Sequence, residues 1–313
     1  MLGWLRGKKD AAPARRASAS SDDLFDDEFQ RRLEYLAIAS RRVYTGRTRA
    51  ERRSKKVGSG VEFADHRDYA AGDDFRYLDW NVYGRSGRLL LKLYEEEEDL
   101  AVYVLLDASR SMEFGNDIRK IDYAKKIAAA LAYVALAHLD RVGIVTLSDH
   151  VEGRLPPARG KGRIFKVFDF LRSVKPDGST DLRDALTTFG AQHKKKGVAV
   201  LISDLYDPSG FEEGINTLRF SKFEPHVIQV FAREEIEPEL GGDVRLVDCE
   251  TGDTRDVTLT PKILERYSEA HAKYRTAIEN FCASRQVPYF AAPTDVPFEE
   301  LVLRVLRRGG LLA

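Results

Sequence analysis

Leu100-Ala101-Val102-Tyr103-Val104-Leu105-Leu106 is a continuous apolar run, and Asp107-Ala108-Ser109-Arg110-Ser111 follows it directly. An unbroken apolar run of this length suits a strand buried on both faces, as in a parallel sheet. A second run, Val198-Ala199-Val200-Leu201-Ile202-Ser203, ends in Asp204. Around these two runs, helix and strand patterns alternate. Residues 118–139 place Ile121, Ala124, Ile127, Leu131, Val134 and His138 on one side, which is the spacing of a helix. Residues 142–147 read as a strand with 151–155 as its hairpin mate. Residues 162–174, 181–193 and 209–220 read as helices, and 226–231 as a strand. Residues 244–248 and 254–258 form a small hairpin. Thr260 as cap and Pro261 at the first position open a long helix to residue 285. A short strand at 288–291 and a helix at 297–306 close the pattern. Such alternation predicts an α/β fold with a doubly wound, mostly parallel sheet and right-handed crossovers.

Working outward, the chain divides into three parts. Residues 1–24, rich in Ala, Ser, Lys and Arg, read as a disordered tail. Residues 25–98 read as an N-terminal helical and turn-rich extension, and 99–308 as the sheet domain. In the extension, Phe29, Leu33, Leu36 and Val43 give a helical apolar stripe. The basic run Arg47, Arg49, Arg52, Arg53, Lys55 and Lys56 reads as a solvated linker; the competing reading is a docking surface for an acidic partner or RNA. Residues 58–88 are polar and turn-rich, 88–94 alternate as a strand, and 95–99 read as an acidic turn. Asp73, Asp74 and Asp79 with Arg67, Arg76 and Arg85 are expected to form a polar network, with Trp80 packed beneath it.

Composition narrows the function classes. The 313 residues carry 50 basic and 50 acidic side chains, a balance that disfavours bulk nucleic-acid binding. Two cysteines, Cys249 and Cys282, stand far apart with no Cys-x-x-Cys, so neither a zinc site nor a disulfide framework is indicated. No secretory signal or membrane-length apolar segment is evident, and the expectation is a cytoplasmic protein. No Gly-x-x-x-x-Gly-Lys-Ser/Thr loop is present, so the chain is not expected to hydrolyse ATP.

The chemistry concentrates at strand ends, where open α/β sheets bind ligands. Asp107 ends the first buried strand. If the loop after it is extended, the Ser109 and Ser111 hydroxyls point to the side of the Asp107 carboxylate. One carboxylate with two hydroxyls makes a hard, oxygen-only partial cage suited to Mg²⁺. Asp-x-Ser-x-Ser alone is a weak motif, because Ser111 also suits a helix cap. Thr180, in Gly178-Ser179-Thr180-Asp181, and Asp204 add two elements at neighbouring strand ends and loops.

The set Asp107, Ser109, Ser111, Thr180 and Asp204 resembles the metal-ion-dependent adhesion site of von Willebrand factor type A domains, over roughly residues 98–235. That resemblance implies an ion held by the two serines and the threonine. The aspartates would act through water, and an open coordination position would take a carboxylate from a partner protein. Upstream, Gly58-Ser59-Gly60-Val61-Glu62-Phe63 followed by Arg67-Asp68-Tyr69-Ala70-Ala71-Gly72-Asp73-Asp74-Phe75-Arg76-Tyr77-Leu78-Asp79-Trp80 resembles the family called domain of unknown function 58. Leu78 stands where that family usually has Ile, and Tyr83-Gly84-Arg85 departs mildly from its usual continuation. Members are commonly encoded beside MoxR-type AAA+ ATPases. The resemblance therefore implies a metal-dependent protein-binding module, an adaptor or cochaperone linking such an ATPase to a client protein, and not an enzyme. The alternative is a Mg²⁺-dependent hydrolase, phosphatase or nuclease, with Asp107 as ligand or nucleophile. Asp-Ala-Ser lacks the second Asp expected of one phosphatase pattern, and no Gly-x-Ser-x-Gly elbow is present.

Overall fold

A computed structural model describes residues 5–6, 24–44, 53–57, 62–97, 101–138, 140–193, 197–238 and 241–308. The chain divides into two compact units. The first comprises residues 1–41 and 100–311, the second 42–99 with 312–313.

The first unit opens with the two-residue strand β1 (Leu5–Arg6) and helix α1 (Asp27–Tyr44). The second unit carries β2 (Arg53–Val57), β3 (Glu62–Asp68), α2 (Trp80–Ser86) and β4 (Leu90–Glu97). Returning to the first unit, the chain forms β5 (Ala101–Asp107), α3 (Lys120–Ala137), β6 (Arg141–Leu147) and β7 (Val151–Ala158). It continues through α4 (Arg163–Ser173), α5 (Leu182–Gln192), β8 (Gly197–Ser203), α6 (Glu212–Phe220), β9 (Phe223–Phe231) and α7 (Arg233–Ile236). The hairpin β10 (Gly242–Val247) and β11 (Thr254–Leu259) follows. Helix α8 (Pro261–Ser284), β12 (Tyr289–Pro293) and α9 (Phe298–Arg308) complete it.

The main sheet has six strands in the order β12-β9-β8-β5-β6-β7. All neighbours are parallel except β6 and β7, the expected hairpin. This is the α/β architecture that the alternation predicts. Chain order explains the position of the site. From β5 the chain moves to β6 and β7 on one side, then returns to place β8 on the other. The reversal leaves a crevice beyond the carboxyl ends of β5 and β8, the usual ligand position in such sheets.

Both inner strands are buried along their whole length. On one face Tyr103 and Leu105 of β5 join Leu186 and Phe189 of α5, Ile215 and Leu218 of α6, and Ile278 and Cys282 of α8 in one apolar cluster. Helix α3 covers the sheet with α4 and α9 beside it, and most of its residues are buried. Gly197 lets β5 and β8 approach, since a Cβ there would stand 2.1 Å from the Ala101 carbonyl oxygen.

Several sequence expectations change. Helix α1 belongs with the sheet unit and not with the extension. Phe25, just ahead of the helix, stacks on Phe168 of α4 at 4.8 Å, and Phe29 within it meets Phe298 of α9 at 5.0 Å. Of the expected disordered tail, Leu5 and Arg6 pair antiparallel with Leu246 and Arg245 of β10; residues 1–4 and 7–23 lie outside the described residues. The basic run is not all linker, because residues 53–57 form β2, whose register sets Arg53 opposite Glu97 and Lys55 opposite Glu95 of β4. The same pairing makes strand of Glu95, Glu96 and Glu97, which read as an acidic turn from sequence. Arg47, Arg49 and Arg52 lie outside the described residues.

Within the second unit the polar network forms in part. Arg67 grips both oxygens of Asp73 at 2.8 and 2.9 Å, and Asp74 accepts from the Arg76 guanidinium at 2.9 and 2.6 Å. Asp79 caps α2 through the backbone N–H groups of Asn81 and Val82, and lies 3.0 Å from His66 Nε2. Trp80 does not pack beneath this network; it is 59% exposed, in edge contact with Tyr83.

Candidate functional site

Asp107 is the last residue of β5, and no part of it reaches solvent. Its Oδ1 accepts the Ser109 backbone N–H at 2.9 Å, and this contact folds the chain back over the strand end. Its Oδ2 accepts from the hydroxyl of Ser203, the last residue of β8. A short 3-10 turn at Arg110–Glu113 then brings Ser111 beneath Ser109, with the two Oγ atoms 3.0 Å apart. Both serines are buried.

The threonine turn is tied to this loop by backbone bonds. The Arg110 N–H donates to the Gly178 carbonyl at 3.3 Å, and the Asp177 N–H to the Ala108 carbonyl at 2.8 Å. Gly178 takes φ +75, a left-handed value that favours glycine. Asp181 caps α5 through the Asp184 N–H. Thr180 is thereby fixed just ahead of that helix, with only 6% of its surface exposed. Asp204 follows β8 and is fully buried. The Tyr206 N–H donates to its Oδ1 at 3.0 Å, and Lys120 donates to its Oδ2 at 2.6 Å. Leu205, next in the chain, is held at φ +62, an uncommon value for a side chain of its size. All five residues singled out from sequence therefore stand at the switch point or in the loops bound to it.

Three participants were not foreseen. Lys120 opens α3, is itself fully buried, and also donates to Glu235 at 2.7 Å. Burial opposes its charge, but the Asp204 and Glu235 carboxylates outweigh that and hold the ammonium above its ordinary range. Glu235 belongs to α7, where its other oxygen accepts the Ala232 N–H at 2.6 Å. The third is Glu250, in the turn between β10 and β11, which accepts from Thr180. The Thr180 hydroxyl donates at 2.7 Å and its backbone N–H at 3.1 Å. Burial raises the proton affinity of Glu250, and the Thr180 hydrogen bonds oppose that shift. No local spacing announces these three. Lys120 and Glu235 are 115 residues apart, and Thr180 and Glu250 are 70 apart.

Electrostatics define what the cluster lacks. Burial pushes the Asp107 carboxyl up to about 7, and the nearby Asp204 carboxylate adds to the shift, while hydrogen bonds from Ser203 and Ser109 offset part of it. Burial likewise raises Glu235 to about 7 against the pull of Lys120. A cation beside Asp107 would relieve this, since an opposite charge favours the ionised form. The donor set fits a hard divalent ion. With metal–oxygen bonds of about 2.0–2.1 Å, adjacent ligands of an octahedral ion stand about 2.9 Å apart. The serine hydroxyls, at 3.0 Å, match that edge. Each oxygen of Asp107 and Asp204 already accepts a hydrogen bond; were an ion bound, the Ser109, Ser111 and Thr180 hydroxyl oxygens would be its direct donors, and the carboxylates would act from behind them. Among the described residues, no group of three or more His, Cys, Asp or Glu side chains is arranged to hold a metal.

Fold and site together define an α/β protein with a buried hydroxyl-and-carboxylate cluster at the switch point of a mostly parallel sheet. The chain belongs to the family described as Protein of unknown function DUF58, whose model matches residues 65–277. It is 24% identical over 297 residues to the uncharacterized protein Rv1480 of Mycobacterium tuberculosis, covering 93% of each chain, and matches the uncharacterized protein Mb1516 of Mycobacterium bovis to the same extent. Among solved structures it is similar to the conserved hypothetical protein BatB from Bacteroides thetaiotaomicron. The TM-score is 0.45 at 14% identity, over 68% of this chain and 98% of that one. An aerotolerance-related membrane protein from Bacteroides fragilis gives 0.41 at 14% identity, over 66% and 96%. Among the described residues of this chain, no helix is long and apolar enough to cross a membrane.

Proposed function

We propose that this chain is a metal-dependent protein-binding module. A divalent cation, Mg²⁺ first among candidates, would be held by Ser109, Ser111 and Thr180, with Asp107 and Asp204 behind them. The open face of the ion would take an Asp or Glu of a partner protein. The observation that carries this reading is the buried pair of serine hydroxyls, 3.0 Å apart, beside the Asp107 carboxyl, which burial and the Asp204 carboxylate raise to about 7. A hydroxyl-rich set leaves a bound ion electrophilic, so an incoming carboxylate gains a strong ionic contact. The proposed partner is a MoxR-type AAA+ ATPase, for which the chain would act as adaptor or cochaperone toward a client; this part rests on the family resemblance alone. On this reading the site captures a partner and cleaves no bond, and the protein works in the cytoplasm.

Calorimetric titration of the full chain with Mg²⁺ or Mn²⁺ tests the metal. One site is expected, and Asp107→Ala or Thr180→Ala should weaken it by about tenfold or more while circular dichroism stays unchanged. Capture of a purified MoxR-type ATPase should then be lost with chelator and with either variant. Equal metal affinity in wild type and variants would sink the site, and chelator-insensitive capture would sink the carboxylate bridge.

A further inference from the structure

The contact between Glu250 and Thr180 does more than finish a turn. The hairpin tip is built locally: Asp248 accepts the backbone N–H groups of Glu250 and Thr251 at 2.9 and 3.0 Å, and the Gly252 N–H donates to the Asp248 carbonyl at 3.0 Å. This tip delivers Glu250 to Thr180 two-handed, one carboxylate oxygen on the hydroxyl and the other on the N–H. The Thr180 hydroxyl spends its proton on Glu250, which leaves its oxygen lone pairs for a cation. The Glu250 oxygen then stands 2.7 Å from a direct donor, close to the edge length of an octahedral ion.

We propose that Glu250 is an internal stand-in for the partner's carboxylate. At the tip of the β10–β11 hairpin it occupies the place beside Thr180 that a partner's Asp or Glu would take, and the two compete. Partner capture then requires the hairpin tip to yield, so the hairpin sets the threshold for binding. This inference rests on the metal-binding reading above.

The test uses the full chain loaded with Mn²⁺, water-proton relaxivity as readout, and acetate as the carboxylate probe. Glu250→Ala should open one coordination position to water, so relaxivity per bound Mn²⁺ rises. Acetate should then lower it, at a concentration at least about fivefold below that needed for wild type. Mn²⁺ affinity should fall by about tenfold and recover in part with acetate. Glu250→Gln, which keeps the shape and an acceptor oxygen, should shift the acetate response in the same direction. A role confined to holding the turn would not change the number of exchangeable waters or the acetate response. Mn²⁺ bound equally, with the same relaxivity and acetate response in all three proteins, would overturn this inference alone. Failure of all three to bind Mn²⁺ would overturn it together with the metal reading.

Discussion

Lys120 is the residue on which the cluster's metal-free stability turns. Its ammonium sits between Asp204 and Glu235 at 2.6 and 2.7 Å, all three side chains sealed from solvent, with the Tyr206 ring 5.1 Å from the charge. A buried ion pair of this kind adds little net stability against an apolar replacement of the whole group, but removing one partner leaves charge with nothing to answer it. Lys120→Met should therefore destabilise the first unit by about 3–5 kcal/mol in urea unfolding of the metal-free protein. Adding Glu235→Gln to Lys120→Met should recover part of that loss, because it removes one of the two stranded carboxylates. A double variant no more stable than the single one would show that the pair is not what Lys120 supports. Lys120 also limits what a bound cation would supply. It already answers one oxygen of Asp204, so a divalent ion at the site would act chiefly on Asp107.

At the scale of elements, α8 braces the site from outside. Its residues 267, 271 and 274 recur at helical spacing, and their polar tips all face the loops that carry the cluster. The Tyr267 hydroxyl donates to the Glu235 carbonyl, His271 Nε2 lies 3.0 Å from the Tyr206 hydroxyl, and the Tyr274 hydroxyl donates to the Leu205 carbonyl. That last bond holds the residue with φ +62 that turns the chain after Asp204. Tyr274→Phe keeps the ring and removes the donor, so it should cost about 1 kcal/mol of stability and weaken Mg²⁺ binding by a small factor in calorimetric titration. Unchanged Mg²⁺ affinity would mean that the loop keeps its shape without the brace. This brace was not legible in the sequence, although the helix itself was. Thr260 and Pro261 mark its start, and the apolar runs mark β5 and β8 as inner strands, because burial on both faces demands apolar residues at every position. The five positions of the candidate site could be read for the same reason: they follow directly from strand ends or a helix start. Lys120, Glu235 and Glu250 enter from distant elements, and only closure of the fold brings them in. Strands β2 and β3 escaped because they are polar and charged and lack a regular apolar alternation.

The whole molecule sets the last test, since the candidate cation belongs to one unit of two. Asp107, Ser109, Ser111, Thr180, Asp204 and Glu250 all lie in the first unit, which includes residues 100–311, while residues 42–99 form the second. A ligand that binds only the folded state stabilises it by mass action, by about 2.7 kcal/mol when its concentration is one hundred times Kd. That stabilisation acts on opening reactions that disrupt the site. Hydrogen exchange on the full chain, with and without saturating Mg²⁺, can follow each unit separately by its peptides. Slower exchange is expected in peptides from β5, the turn before α5, the segment after β8 and the β10–β11 hairpin, and chelator should restore the original rates. Peptides from residues 62–97 should keep their rates, because no proposed ligand comes from them. Protection confined to residues 62–97 would move the ion to the acidic residues of the second unit. No protection in either unit at millimolar Mg²⁺ would leave the buried hydroxyls and carboxylates at the switch point as a structural network around Lys120, with no ion to recruit a partner.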